Sequence, residues 1–161
     1  MPAAPVVVRV AADADLPVLD RAIPTGSNDM HRALLARQAA GDASYLVAWR
    51  GAEPVGVGLV RWAGRGPVPE PEITNLHVSE PLQSQGIGTA IVRLAEDLVR
   101  GRGHRRVVIG VDEDNVRAAA LYERLGYRDT GLRWTGSYTW YDESGRRHEE
   151  SERVRVLALD L

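Results

Sequence analysis

The stretch Gln83-Ser84-Gln85-Gly86-Ile87-Gly88-Thr89 lies between a strand-like run, Ile73-Thr74-Asn75-Leu76-His77-Val78, and an amphipathic helix. Glycines at the mouth of a helix let the backbone approach a ligand closely. The unpaired N–H groups and the positive end of the helix dipole then favour a phosphate. The expected ligand is therefore anionic, a pyrophosphate, and the plain alternative is a glycine-softened turn that holds nothing. From Ile87 the apolar residues recur at Ile91, Leu94 and Leu98, with Arg93, Glu96, Asp97 and Arg100 on the other face, and Gly101 and Gly103 end the helix.

A dinucleotide-binding Rossmann unit fits poorly. Its third glycine position is taken by Ile91, and the acidic residue required after the next strand, Arg106 to Val111, is only loosely supplied by Asp112-Glu113-Asp114. That strand is followed by Asn115-Val116-Arg117-Ala118-Ala119-Ala120-Leu121-Tyr122-Glu123-Arg124-Leu125-Gly126-Tyr127, a helix capped by Asp114 or Asn115 and stopped by Gly126.

Together with the Gln-x-x-Gly-x-Gly loop, this second helix resembles the GCN5-related N-acetyltransferase superfamily, over roughly residues 72 to 127. The resemblance implies transfer of an acetyl group from acetyl-CoA to an amine. It also implies that Gln83, Ser84, Gln85, Gly86, Ile87, Gly88 and Thr89 cradle the pyrophosphate, and that the strand at Leu76, His77 and Val78 pairs with the pantetheine arm like an added strand. Asn115 matches an asparagine that contacts the cofactor's arm, and Tyr122 the tyrosine proposed to protonate the departing thiolate. Each also has a structural reading: Leu76 and Val78 as core, Asn115 as a cap, Tyr122 as a helix-face aromatic.

A protonated amine must lose a proton before it attacks a thioester, and a carboxylate is a usual base. Glu72, eleven positions ahead of Gln83, matches the catalytic glutamate of histone-acetylating members. Its alternatives are a solvated strand-end carboxylate, or replacement by Glu70 across the Pro69-Glu70-Pro71 segment. Enzymes that acetylate ribosomal-protein N-termini usually carry a glutamate five positions before the asparagine; here that position is Gly110, which cannot take a proton. His77 is a second candidate base, although it reads equally well as a satisfied structural histidine.

Composition narrows the remaining classes. The 161 residues suit one domain, 1–161, with 44% hydrophobic and 26% charged residues. A net charge of −2 with no basic run argues against nucleic acid as the main partner. All twenty basic residues are arginine. Without cysteine there is no disulfide and no acetyl-cysteine intermediate, so transfer is expected to be direct. His31, His77, His104 and His148 lack metal-ligand spacing, so no metal is expected. No signal peptide or membrane span is read, which points to the cytoplasm.

The remaining chain reads as a strand at Val6 to Val10, helices over Ala14 to Ile23 and Asn28 to Ala40 with Ser27 or Asn28 as a cap, and a hairpin of Ser44 to Arg50 and Val55 to Trp62 joined by Gly51 to Pro54. Gly56 and Gly58 suggest a close backbone neighbour or a bulge. Strands around Tyr127 to Trp134 and Val154 to Leu159 close the chain. The order β-α-α-β-β-β-α-β-α-β-β matches the superfamily's mixed α/β fold, a mostly antiparallel sheet flanked by helices.

The resemblance places the acceptor pocket near Pro24 to His31 and in the long link carrying Trp134, Tyr138, Trp140, Tyr141, Asp142, Glu143, Glu149, Glu150 and Glu152. Aromatic and acidic groups together suit a cation, whereas a plain β-hairpin with solvated charges would explain the same residues. The expected acceptor is a small-molecule primary amine. A protein lysine, a protein N-terminus and a non-catalytic acetyl-CoA-binding module are the alternatives, and a homodimer is left open.

Overall fold

A computed structural model describes residues 2–25, 29–142 and 144–161, apart from the side chains of residues 140 and 141. Seven strands form one sheet in the order β1-β2-β3-β4-β5-β7-β6. Along the chain come β1 (Val6–Val10), α1 (Leu16–Ala22), α2 (Met30–Ala39), β2 (Ala43–Arg50), β3 (Glu53–Arg61), β4 (Glu72–Val78), α3 (Ile87–Gly101), β5 (Arg106–Asp112), α4 (Val116–Arg124), β6 (Arg128–Tyr141) and β7 (Arg147–Asp160). Every neighbouring pair is antiparallel except β4 and β5.

The expected element order is the observed one, with shifted boundaries. A 3-10 turn over Asp13–Asp15 precedes α1, so the α-helix starts later than its amphipathic pattern suggests. β3 begins at Glu53, which shortens the hairpin turn to Gly51 and Ala52, and a register shift beside Trp49 accommodates Pro54. The proposed cap at Ser27 or Asn28 lies outside the described residues. β6 and β7 extend well beyond the expected strands: the long link folds as a ribbon paired out to Tyr141 and Arg147.

Apolar periodicity divides the buried side chains between the two faces of the sheet. On one face α3 and α4 bury Ile87, Ile91, Val99 and Tyr122 against Leu46, Val60, Ile73, Ile109 and Leu157. On the other, α1 and α2 bury Leu19, Leu34 and Leu35 against Tyr45, Val47, Val57 and Leu59. His31 is fully buried there: its Nε2 donates to the Ile23 carbonyl at 2.7 Å, leaving Nδ1 to accept from the Tyr45 hydroxyl at 2.6 Å.

Gly56 and Gly58 set how closely α3 lies on the sheet. A Cβ at Gly58 would stand 2.6 Å from Ile91 Cγ2, and one at Gly56 would stand 3.1–3.3 Å from the His77 carbonyl, Ile91 and Ile87. The same part of β3 faces a bulge: between the pairs Leu59↔Thr74 and Val57↔His77, Gly58 alone opposes Asn75 and Leu76. Asn75 takes up the extra residue at φ 54. Both readings of the paired glycines, close approach and bulge, therefore hold.

Gly58→Ala is expected to destabilise the protein by about 1–3 kcal/mol, because the new methyl overlaps a buried branched side chain. Gly101→Ala, where a Cβ meets open space, is the control and is expected to be neutral or mildly stabilising. Urea denaturation of the two variants checks the contrast.

Candidate active site

β4 and β5 are in register only at Glu72↔Val108 and Ile73↔Ile109. Beyond Ile73 the two strands part, and among the described residues the backbone of β4 has no strand partner on that side. Such an edge can pair with an extended ligand arm. The gap opens towards the N-terminus of α3, where a cleft of about 350 Å³ is walled by α3, α4 and the end of β4.

The loop ahead of α3 is shaped for close approach. Ser84 and Gly86 adopt left-handed backbone at φ 63 and φ 85, and a Cβ at Gly86 would meet nothing within 4 Å. Gly86 is the N-cap and has no side chain with which to cap. The first intrahelical bond runs from Ala90 N to the Gly86 carbonyl, so the amides of Ile87, Gly88 and Thr89 precede the helical ladder. A fifteen-residue helix thus presents uncapped amides and the positive end of its dipole to the cleft, the arrangement that suits a phosphate.

Most residues singled out in the sequence converge here. Leu76, Val78, Gln83, Ser84, Gly86, Ile87, Gly88, Thr89, Asn115 and Tyr122 line the cleft. Asn115 also caps α4, its Oδ1 accepting from Ala118 N at 3.1 Å, so the capping and lining readings are compatible. Gln85 instead accepts from Arg50 at 3.3 Å, away from the lining. The His77 side chain is exposed on the opposite face, beside Ile23, Pro24, Thr25 and Asn75, and is not a core histidine. Arg117 and Arg124 also line the cleft. Arg117 reaches back to Ser84 Oγ at 2.5 Å and Gln83 Oε1 at 3.3 Å, tying the loop to the first turn of α4. The helical spacing Arg117, Leu121, Arg124 is the sequence signal that would have found them.

Tyr122 is nearly enclosed, and burial pushes its phenol up to about 12, so it holds its proton at neutral pH. Its ring meets Tyr127 edge-on at 6.3 Å. Tyr127 donates to Glu96 at 3.0 Å, while Arg93 grips the same buried carboxylate at 2.8 and 3.0 Å, fixing the end of α4 to α3.

Glu72 lies on the opposite face from Tyr122's helix. It is fully buried, not a solvated strand end, and Arg65 donates to both its oxygens at 3.0 and 3.3 Å. Glu70 is partly exposed and pairs with Arg106 at 3.6 Å. A Cβ at Gly110 would stand 2.8 Å from Glu72 Oε2, so the glycine makes room for this carboxylate. Cross-strand pairing continues the same face through Asp112, Val154, Trp134, Glu152, Tyr138 and Glu150. Tyr138 donates to Glu150 at 2.7 Å. Asp142 is committed elsewhere. It closes the ribbon's tip, and hydrogen bonds from His148 and Ser144 hold it well below the usual carboxylate range.

A hollow of about 540 Å³ between Arg106, Arg128 and Asp160 lies away from this constellation. Among the described residues no group of three or more His, Cys, Asp or Glu side chains could hold a metal ion, and no helix is long and apolar enough to cross a membrane.

The chain belongs to the acetyltransferase (GNAT) family, whose model matches residues 16–127. It is similar to mycothiol acetyltransferase of Corynebacterium glutamicum (strain R), 34% identical over 89 residues that make up 53% of this chain and 28% of that protein. It is also similar to N-alpha-acetyltransferase RimI of Mycobacterium tuberculosis, 35% identical over 55% of this chain and 54% of the relative. The chain thus spans between about a quarter and about half of these relatives' lengths. An N-acetyltransferase from Staphylococcus aureus Mu50 shares the fold, with a TM-score of 0.70 at 17% identity over 98% of this chain and 99% of that one.

The raised Tyr122 phenol makes stability fall at alkaline pH. Its proton is held more tightly in the folded state, so this contribution is complete below about pH 10 and is lost as pH rises towards 12. Tyr122→Phe is expected to shed less stability across that window than wild type, as read by urea denaturation at pH 8 and pH 11.

Proposed function

We propose that the protein is an acetyl-CoA-dependent N-acetyltransferase that moves an acetyl group directly to a primary amine of a small molecule. The observation that carries this reading is the parting of β4 from β5 directly at the uncapped N-terminus of α3. An extended arm has an open strand edge to pair with, and a pyrophosphate has backbone amides to meet. Acetyl-CoA supplies the activated acetyl thioester when bound.

In this scheme the amides after Gly86 and the Arg117 guanidinium hold the anionic end, and Leu76 and Val78 offer the strand edge. Asn115 fixes the start of α4, and with it Tyr122, which keeps its proton for the departing sulfur. Glu72 takes the proton of the attacking amine, through water because its carboxylate is enclosed. The small-molecule reading rests on the face around Glu72, where Tyr138, Glu150, Glu152 and Asp112 favour a cationic acceptor, and on Gly110, which removes the base that N-terminal acetyltransferases usually place there.

The similarity to RimI favours a second reading, acetylation of a protein N-terminus. Release of free coenzyme A, followed with spermidine, an aminoglycoside, a lysine peptide and an alanine-terminated peptide, separates the two. A polyamine or aminoglycoside is expected to react fastest, and a clear preference for the alanine peptide would replace the small-molecule assignment. No release with any amine, despite acetyl-CoA binding, would indicate a binding module.

Gly86→Glu places a charged side chain at the anion site, on backbone that disfavours it, and is expected to abolish the thermal shift given by acetyl-CoA. An undiminished shift overturns the site. Tyr122→Phe is expected to lower turnover about 10- to 1000-fold with little change in acetyl-CoA affinity. Unchanged turnover would leave Tyr122 a packing residue.

A further inference from the structure

Arg65 lies in the loop between β3 and β4 and binds two carboxylates at once. Its Nε and one terminal nitrogen hold Glu72, while the other terminal nitrogen is 3.7 Å from Glu152 on β7. The guanidinium stacks over Trp134 at 5.2 Å, and Trp134 packs against the place where a Cβ would stand on Gly66 and Gly136. Glu72 is 0% exposed, so its carboxylate depends on partners inside the protein, whereas Glu152 is only half-buried and has water as an alternative partner.

We propose that Arg65 is a positioning residue for the transfer reaction, a cation shared between Glu72 and Glu152 that holds the Glu72 carboxylate aimed as proton acceptor. The inference rests on the proposed role of Glu72. Shared attachment lets Glu152 draw on the guanidinium without releasing it from Trp134's face, so the two carboxylates compete for one guanidinium. Arg61, opposite Glu72 on β3, is a second cation in electrostatic reach of it but makes no hydrogen bond to it, while Val108 and Gly110 on β5 carry no charge. Arg65 is therefore the only cation hydrogen-bonded to Glu72 among the described residues, and Glu152 is its competitor.

Competition predicts opposite effects from the two partners. A neighbouring guanidinium favours an ionised carboxylate, so Arg65→Gln is expected to move the acidic limb of the pH–kcat/KM profile upward by about one to three pH units. Glu152→Gln frees the guanidinium for Glu72 and is expected to move the limb downward. Arg65→Lys, which keeps the charge but not the two-pronged grip, is expected to fall between wild type and Arg65→Gln.

The test measures coenzyme A release by the full chain against pH, with spermidine and an alanine-terminated peptide as probe amines, alongside the acetyl-CoA thermal shift of each variant. Limbs that stay at the wild-type position, or that move the same way in Arg65→Gln and Glu152→Gln, overturn the proposal, because a merely structural ion pair would change melting temperature and not the sign of the profile. If Arg65→Gln does not fold, the downward movement in Glu152→Gln decides alone. Glu72→Gln, with Glu70→Gln as control, separates the two levels. A wild-type rate and profile in Glu72→Gln removes the base assignment and this inference with it, whereas a loss there with unmoved limbs in the Arg65 and Glu152 variants removes only the role of Arg65. A wild type that releases no coenzyme A with either probe also overturns the inference.

Discussion

The packing of α3 onto β3 governs the geometry of the whole site. Because Gly56 and Gly58 carry no side chain, Ile87 and Ile91 sit directly on the strand, and the helix cannot slide without losing that fit. Its N-terminus is thereby fixed at the end of β4. The bulge at Asn75 lies across the same glycine and turns β4 just as it leaves β5. One local feature of β3 thus holds the uncapped helix end and the open strand edge together.

The buried charges follow a common rule. Glu72, Glu96 and Asp15 are all enclosed carboxylates, and each is gripped by an arginine through two short contacts: Arg65, Arg93 and Arg9. Arg9 and Arg65 each use two nitrogens of the planar guanidinium, one per carboxylate oxygen, whereas Arg93 reaches both oxygens of Glu96 through one, and removing either partner would strand a charge out of water. The Asp15 carboxylate lies below its ordinary range chiefly through the Arg9 hydrogen bond. Arg9–Asp15 joins the end of β1 to the start of α1 and Arg65–Glu72 the β3–β4 loop to β4, whereas Arg93–Glu96 lies within α3 and the Tyr127 hydroxyl on Glu96 ties that helix to the corner after α4.

The two faces of the sheet divide the chemistry. Tyr122 and the amides of α3 lie on the face of α3 and α4, whereas Glu72, Trp134, Tyr138 and Glu152 lie on the other. β4 and β5 are still paired at Glu72 and part only beyond Ile73.

The glycine loop, the two helices after it and the element order were legible in the chain, because each is a local pattern: apolar spacing, a cap, a stop. The residues lining the cleft were legible to the same extent, since nearly all of them belong to those two motifs. Arg117 was missed although its helical spacing with Arg124 was available, and Arg65 carried no signal, because only the fold brings its loop onto β4. The solvated reading of Glu72 failed for the same reason: flanking prolines suggest an exposed strand end, and it is the approach of β5, with a glycine at position 110, that encloses it. The last strands outran their apolar pattern because ribbon pairing satisfies backbone groups whatever the side chains are. Sequence by itself therefore determined the elements and the glycine turn ahead of α3, both of which depend on neighbours a few residues away. Tertiary structure alone decided the parting of β4 from β5, the burial of Glu72 and its partnership with Arg65, because these depend on contacts between segments that local periodicity does not relate.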